Sequence, residues 1–200
     1  MLYFFQTLSL KTRFLTLILL FFPVLLFQWL LMAAPWAQTT LKLLSHGTGV
    51  PDELFWYNPS MAQQIFAAWG PEGRAHYLSV LWPTDLGFLL AYGLFLTTAT
   101  LYLLKKVNPH SFFWYLLPLV PMAGAACDLF ENLTVAAASL LPSEGWEPVS
   151  WIATGFTSAK WSLLGLSGAV LVVGTLGFLL RTGWNKVKAL AGSSDDDYTE

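Results

Sequence analysis

The long runs without a charged side chain decide what this chain can fold into. Phe14 to Ala34 carries no charge at all, and about 20 such residues in a helix cross a bilayer. Three more runs follow. Thr84–Leu104 is interrupted only by Asp85, Ser111–Leu141 only by Asp128 and Glu131, and Trp151–Leu180 only by Lys160. Of the 200 residues, 56% are hydrophobic and 11% charged, whereas soluble domains carry about a quarter charged residues. The expected fold is therefore all-α, an integral membrane four-helix bundle formed as one domain over 1–188. A cleaved signal peptide is the rival for the first run, but that run is too long and no clean A-x-A site follows it. The net charge of −2 and the scattered basic residues offer nothing to a nucleic acid.

Between the first two spans, 35–83 is the one large segment expected outside the membrane, a cap of short helices. His46-Gly-Thr-Gly-Val-Pro-Asp52 is turn chemistry. Ser60 begins a capping-box spacing and Gly70 is a natural stop, which predicts a helix over 61–69. Pro71 and Glu72 open a second helix through Trp82. Span three, at 111–141, is too long to stand upright, so tilt and kinks at Pro118 and Pro121 are expected. The acidic tail, 189–200, reads as disordered.

Lys11, Arg13, Lys105, Lys106, Arg181, Lys186 and Lys188 fall on one side of the spans, seven of the ten basic residues. The positive-inside rule then puts both termini in the cytoplasm and 35–83 outside, as in a bacterial inner membrane. Glu144 and Glu147 in the 142–150 loop agree, and so do Trp36, Trp82, Trp146 and Trp151 at the outer boundary.

Within this frame Asp128, Glu131 and Asn132 share one helix face, one turn apart. Carboxylates and an amide on one face cannot point at lipid, where each would cost several kcal/mol. The apolar length on the inner side of each polar residue is a depth ruler. The sixteen uncharged residues 112–127 precede Asp128, about 24 Å of rise. Similar counts place Asp85, Asp128, Glu131, Asn132 and Lys160 in one layer of the outer leaflet. Arg74 joins them if its helix runs on past Pro83, since eleven residues make three turns and bring it onto the face of Asp85. Gly165 and Ala169, with Ser158 and Ser162 above them, read as a small-residue packing stripe.

The string Gly49-Val-Pro-Asp52, Tyr57, Trp69-Gly70-Pro-Glu-Gly73-Arg74-Ala-His-Tyr77, Asp85, Tyr92, Asp128-x-x-Glu131-Asn132 and Thr157-x-x-Lys160-Trp161 resembles a group of small four-span bacterial membrane proteins. That resemblance covers about residues 45–165 and implies architecture, with no catalytic role attached. The topology is also similar to sterol-isomerase-like four-span proteins, which keep acidic residues in a membrane cavity, although their residue pattern is not matched here.

Three functions compete. The first is a pocket that binds or converts a lipid-like molecule from the membrane. Asp128 and Glu131 are its candidate catalytic acid and base, and Arg74, His76, Tyr77, Asp85, Tyr92, Asn132, Thr157 and Lys160 its candidate binding residues. Lys160 or Arg74 would hold an anionic headgroup. The second is a proton-coupled carrier or channel subunit, which would need an oligomer, because polar residues are absent from the inner half of the spans apart from threonines near 97–100. The third is an assembly protein whose ion pairs only brace the bundle. Membrane lipid is the expected partner, with room for a homo-oligomer. No cofactor is named by the residues. His46, His76 and His110 are too scattered for zinc, and Asp85, Asp128 and Glu131 signal an oxygen-preferring ion too weakly for a metal to be expected.

Overall fold

The computed structural model describes residues 2–142 and 146–192, and its regular elements there are helices. In order they are α1 (Leu2–Lys11), α2 (Phe14–Met32), α3 (Gln38–Leu44), a 3-10 turn (Pro51–Glu53), α4 (Pro59–His76), a π turn (Tyr77–Leu81), α5 (Trp82–Val107), a second 3-10 turn (Phe112–Leu116), α6 (Leu119–Leu140) and α7 (Trp146–Gly192). Four stretches of helix are long and apolar enough to cross a membrane: Phe14–Met32, Pro59–Val107, Phe112–Leu140 and Trp146–Lys186. Leu19, Phe22 and Leu26 on α2, with Val172, Val173, Leu176 and Leu180 on α7, are exposed. Apolar surface on that scale suits lipid. The chain is built as an all-α integral membrane protein.

Close approach between helices is set where side chains are smallest. A Cβ on Gly87 of α5 would sit 2.1 Å from the ring of Phe27 on α2, so only glycine admits that ring. One at Gly124 of α6 would lie 3.2 Å from Leu164 of α7, and one at Gly174 of α7 would lie 2.5 Å from Leu103 of α5. The expected packing stripe on α7 is a correction. Ser158 and Ser162 are spent on carbonyls, and no atom lies within 4 Å of where a Cβ on Gly165 would be. Gly124 meets α7 instead.

The cap is built on aromatic rings. Trp69 stacks on Tyr77 at 5.0 Å, Phe66 meets Trp69 edge-on at 5.4 Å and Trp146 at 5.5 Å, and the Trp69 indole donates to Gly49 O at 3.1 Å. Two cap helices are present as expected, separated at Gly70, whose φ of 58° is a conformation glycine adopts without cost. The first starts earlier than the capping-box spacing suggested. Asn58 is its cap, accepting from Met61 N at 2.8 Å, with Pro59 in the first turn.

Three further boundaries differ. Span three is not a kinked 31-residue helix. Pro118 stands at the N-cap and Pro121 in the first turn of α6, where proline costs no hydrogen bond, and the residues before them form the second 3-10 turn. Span four begins at Trp146, with Glu147 in its first turn; Glu144 lies outside the described residues. Residues 189–192, expected to be disordered, continue α7, as their alanines and leucine favour. Residues 193–200 lie outside the described residues.

Candidate functional site

Three helices and one loop meet just under the cap. From α7, Thr154, Thr157 and Lys160 recur every three residues and so share a face. Thr154 binds the backbone of Tyr57, accepting from its N at 3.2 Å and donating to its carbonyl, which pins the 54–58 loop to α7. Thr157 donates to Glu131 Oε1 at 2.6 Å and lies 3.5 Å from the Tyr57 hydroxyl. Burial, with the charge of Glu131 adding to it, holds the Tyr57 phenol well above its ordinary pKa, so it stays protonated.

Lys160 is the hub. Its side chain is 3% exposed, and its Nζ pairs with Glu131 Oε2 at 2.7 Å, Asp128 Oδ1 at 3.3 Å and Asp52 Oδ1. Lys160 donates a hydrogen bond to Asp128 Oδ1, while Asp52 and Glu131 pair with its ammonium as ions only. The depth ruler therefore brought α6 and α7 together correctly.

Asn132 joins α6 to α5. Its Oδ1 accepts from Tyr77 Oη at 3.2 Å, and its Nδ2 donates to Asp128 Oδ1 at 3.3 Å and to Asp85 Oδ2. Only one orientation of the amide satisfies both sides, so its neighbours set its rotamer. Tyr92 donates to Asp128 Oδ2 at 2.5 Å. Asp128 thus accepts from Lys160, Asn132 and Tyr92, whereas the sole hydrogen-bond partner of Asp85 among the described residues is a neutral amide.

Arg74 is the clear correction. It donates to Phe66 O at 3.3 Å and lies over the Trp146 ring at 5.6 Å, away from the carboxylates. The cause is the π turn at 77–81, which takes up one more residue than an α turn and rotates everything before it by about 100°. Gly73, buried, now occupies the stripe expected of Arg74. His76 is likewise outside the cluster, its Nε2 3.0 Å from Ala37 O.

The residue that the depth ruler missed is Asp52, together with the loop tyrosine Tyr57. Both sit in turns, where no apolar run measures depth. The 3-10 turn beginning at buried Pro51 carries Asp52 over Lys160, and the Trp161 indole, 3.3 Å from Asp52 O, holds the turn there. Asp52, Asp85 and Asp128 each offer an oxygen within 4.8 Å of the others, a different trio from the one weighed for a metal ion.

A cavity of about 440 Å³ opens from this cluster. Tyr77, Asp52, Asp85, Asp128, Asn132 and Lys160 line its polar end, and Tyr92 follows. Glu131 and Thr157 stand behind Lys160, off the cavity wall. The other walls are mainly apolar, with Leu31 and Met32 of α2, Phe88 and Leu96 of α5 and Leu164 of α7, and Gln28, Gln38 and Glu53 are the polar exceptions. Leu96 lies eleven residues past Asp85 on one helix, about 16 Å of rise, so the cavity is long as well as amphipathic. No known family model, curated protein or solved structure matches the chain, and the site must be read from its own chemistry.

Proposed function

We propose that this chain is a four-span protein of the bacterial inner membrane, with both termini in the cytoplasm, that binds or converts a single-tailed amphiphile. The head would rest against the carboxylates in the outer leaflet, and the tail would run between α2 and α7. One observation carries this reading: a buried ionic cluster opens into an apolar passage of ligand size. A brace needs no passage.

Charge narrows the head. Four carboxylates (Asp52, Asp85, Asp128, Glu131) face one ammonium, so the cluster is three charges negative when all are ionised. Lys160 is already paired with three of these carboxylates, and Arg74 is elsewhere. An anionic head would meet uncompensated repulsion, whereas a head that donates, a hydroxyl or a protonated amine, meets Asp85 and Asp128. If the amphiphile is converted, Asp85 is the carboxylate placed to accept a proton from it, because Asp128 is already engaged by Lys160, Asn132 and Tyr92.

The test is the lipid content of the full-length protein purified in mild detergent. An amphiphile with a hydroxyl or amine head should be enriched over the bulk lipid, and should be lost from Asp85→Asn and from Leu96→Trp. Wild-type protein carrying only bulk phospholipid in bulk proportion would overturn the reading.

A further inference from the structure

The opposite end of the bundle carries a second, larger cavity of about 1060 Å³, and its chemistry is inverted. It lies between the end of α5, the 108–117 connection and α7. Lys106, His110 and Arg181 line it, with Asn108, Ser111, Thr182 and Asn185, and among the described residues no acidic side chain does. Among the described residues neither Lys106 nor Arg181 pairs with a carboxylate. Lys106 has only the Tyr102 ring, 5.3 Å from its Nζ. The walls leading away from these charges are apolar: Leu103, Val170, Val173 and Phe178.

α5 and α7 approach closely beside this groove. Leu103 covers Gly174, where a Cβ would be 2.5 Å away. One turn further along α7, Gly177 faces open space, with no atom within 4 Å of where its Cβ would be. Lysine and arginine heads at the mouth and an apolar slot behind them fit a molecule with a negative head and a hydrocarbon body. Basic pockets between spanning helices bind such headgroups.

From this we propose that the groove is a binding site for one anionic phospholipid. Lys106 and Arg181 hold its phosphate, and one acyl chain lies along Leu103, Val170 and Val173 past Gly177. The site is independent of the carboxylate cavity, and each can fail without the other.

The experiment offers delipidated full-length protein equal amounts of phosphatidylglycerol and phosphatidylcholine with identical acyl chains and counts the adducts by native mass spectrometry. Phosphatidylglycerol should be retained in preference. Each of Lys106→Gln and Arg181→Gln should lower its retention about fivefold, the worth of one basic residue near an anionic lipid. Gly177→Leu fills the slot without touching a charge and should remove the adduct, while Lys186→Gln with Lys188→Gln, at the same end but off the cavity wall, should leave it. Equal retention of the two lipids by the wild type would overturn the proposal. So would an equal loss in the Lys186 and Lys188 control, which would mean diffuse charge and no site. Retention seen only after shortening the chain at Gly192 would make the acidic 195–200 segment the occupant, and the lipid proposal would fail.

Discussion

Deleting the one cation of the upper cluster and deleting one of its anions should have very different consequences. Lys160→Met leaves Asp52, Asp128 and Glu131 buried or half-buried with no positive partner, beside Asp85. Breaking a buried pair from one side costs roughly 3–5 kcal/mol. Glu131→Gln is the gentler change. Its amide oxygen still accepts from Thr157, and Lys160 keeps Asp52 and Asp128, so one hydrogen bond to a charged group is weakened, at about 1.5–3 kcal/mol. Relief of like-charge crowding offsets part of that: four acids against one base become three. For a chain of this size 1 kcal/mol moves the melting temperature by about 2–4 °C. Lys160→Met should therefore fall by roughly 6–20 °C and Glu131→Gln by only a few degrees. The assay is thermal unfolding in detergent beside immunoblotting of the membrane fraction. If both variants vanish from the membrane equally, or if Lys160→Met accumulates normally, the charge balance described for this cluster is wrong.

Other expectations follow from single contacts. Gly87→Val drives a side chain into the Phe27 ring and should cost about 1–3 kcal/mol, recovered in part by Phe27→Ala, as read by melting temperature. Reporter fusions at Lys106 and after Lys188 should report cytoplasm and one at Asp52 the outside; an outside signal at Lys106 would overturn the orientation. Tyr57 is held protonated by burial, so its contribution to stability is complete below the ordinary tyrosine value of 10.0 and is lost as pH rises above it. Ultraviolet titration of wild type against Tyr57→Phe should find no tyrosinate from Tyr57 at pH 10, and a matching loss of signal in the variant would refute that.

Much of the site was legible because a bilayer supplies a ruler. An apolar helix must fill its thickness, so counting uncharged residues on either side of Asp85, Asp128, Glu131 and Lys160 placed all four at one depth, and the salt bridges and the Asn132 amide join them there. The ruler fails off the spans. Asp52 stands in a turn and has no run to count, although it lies within Gly49-Val-Pro-Asp52, one of the strings that prompted the resemblance. Helical phase failed at Arg74 for another reason. A single π turn is invisible in hydrophobic periodicity, and it rotated the preceding helix so that Arg74 met Trp146 rather than the carboxylates. Prolines misled in the same way at α6, where Pro118 and Pro121 mark a beginning rather than a bend.

In the proposed function, the carboxylate–lysine cluster opens onto a space that an amphiphile fills. A crystal structure of the wild-type protein grown from lipidic cubic phase tests this most directly. Elongated density is expected between Leu31, Phe88, Leu96 and Leu164, ending within hydrogen-bond reach of Asp85 or Asp128. Side chains of α2 and α7 closed on one another across that space, with Asp85 paired to a cation of the protein itself, would contradict it.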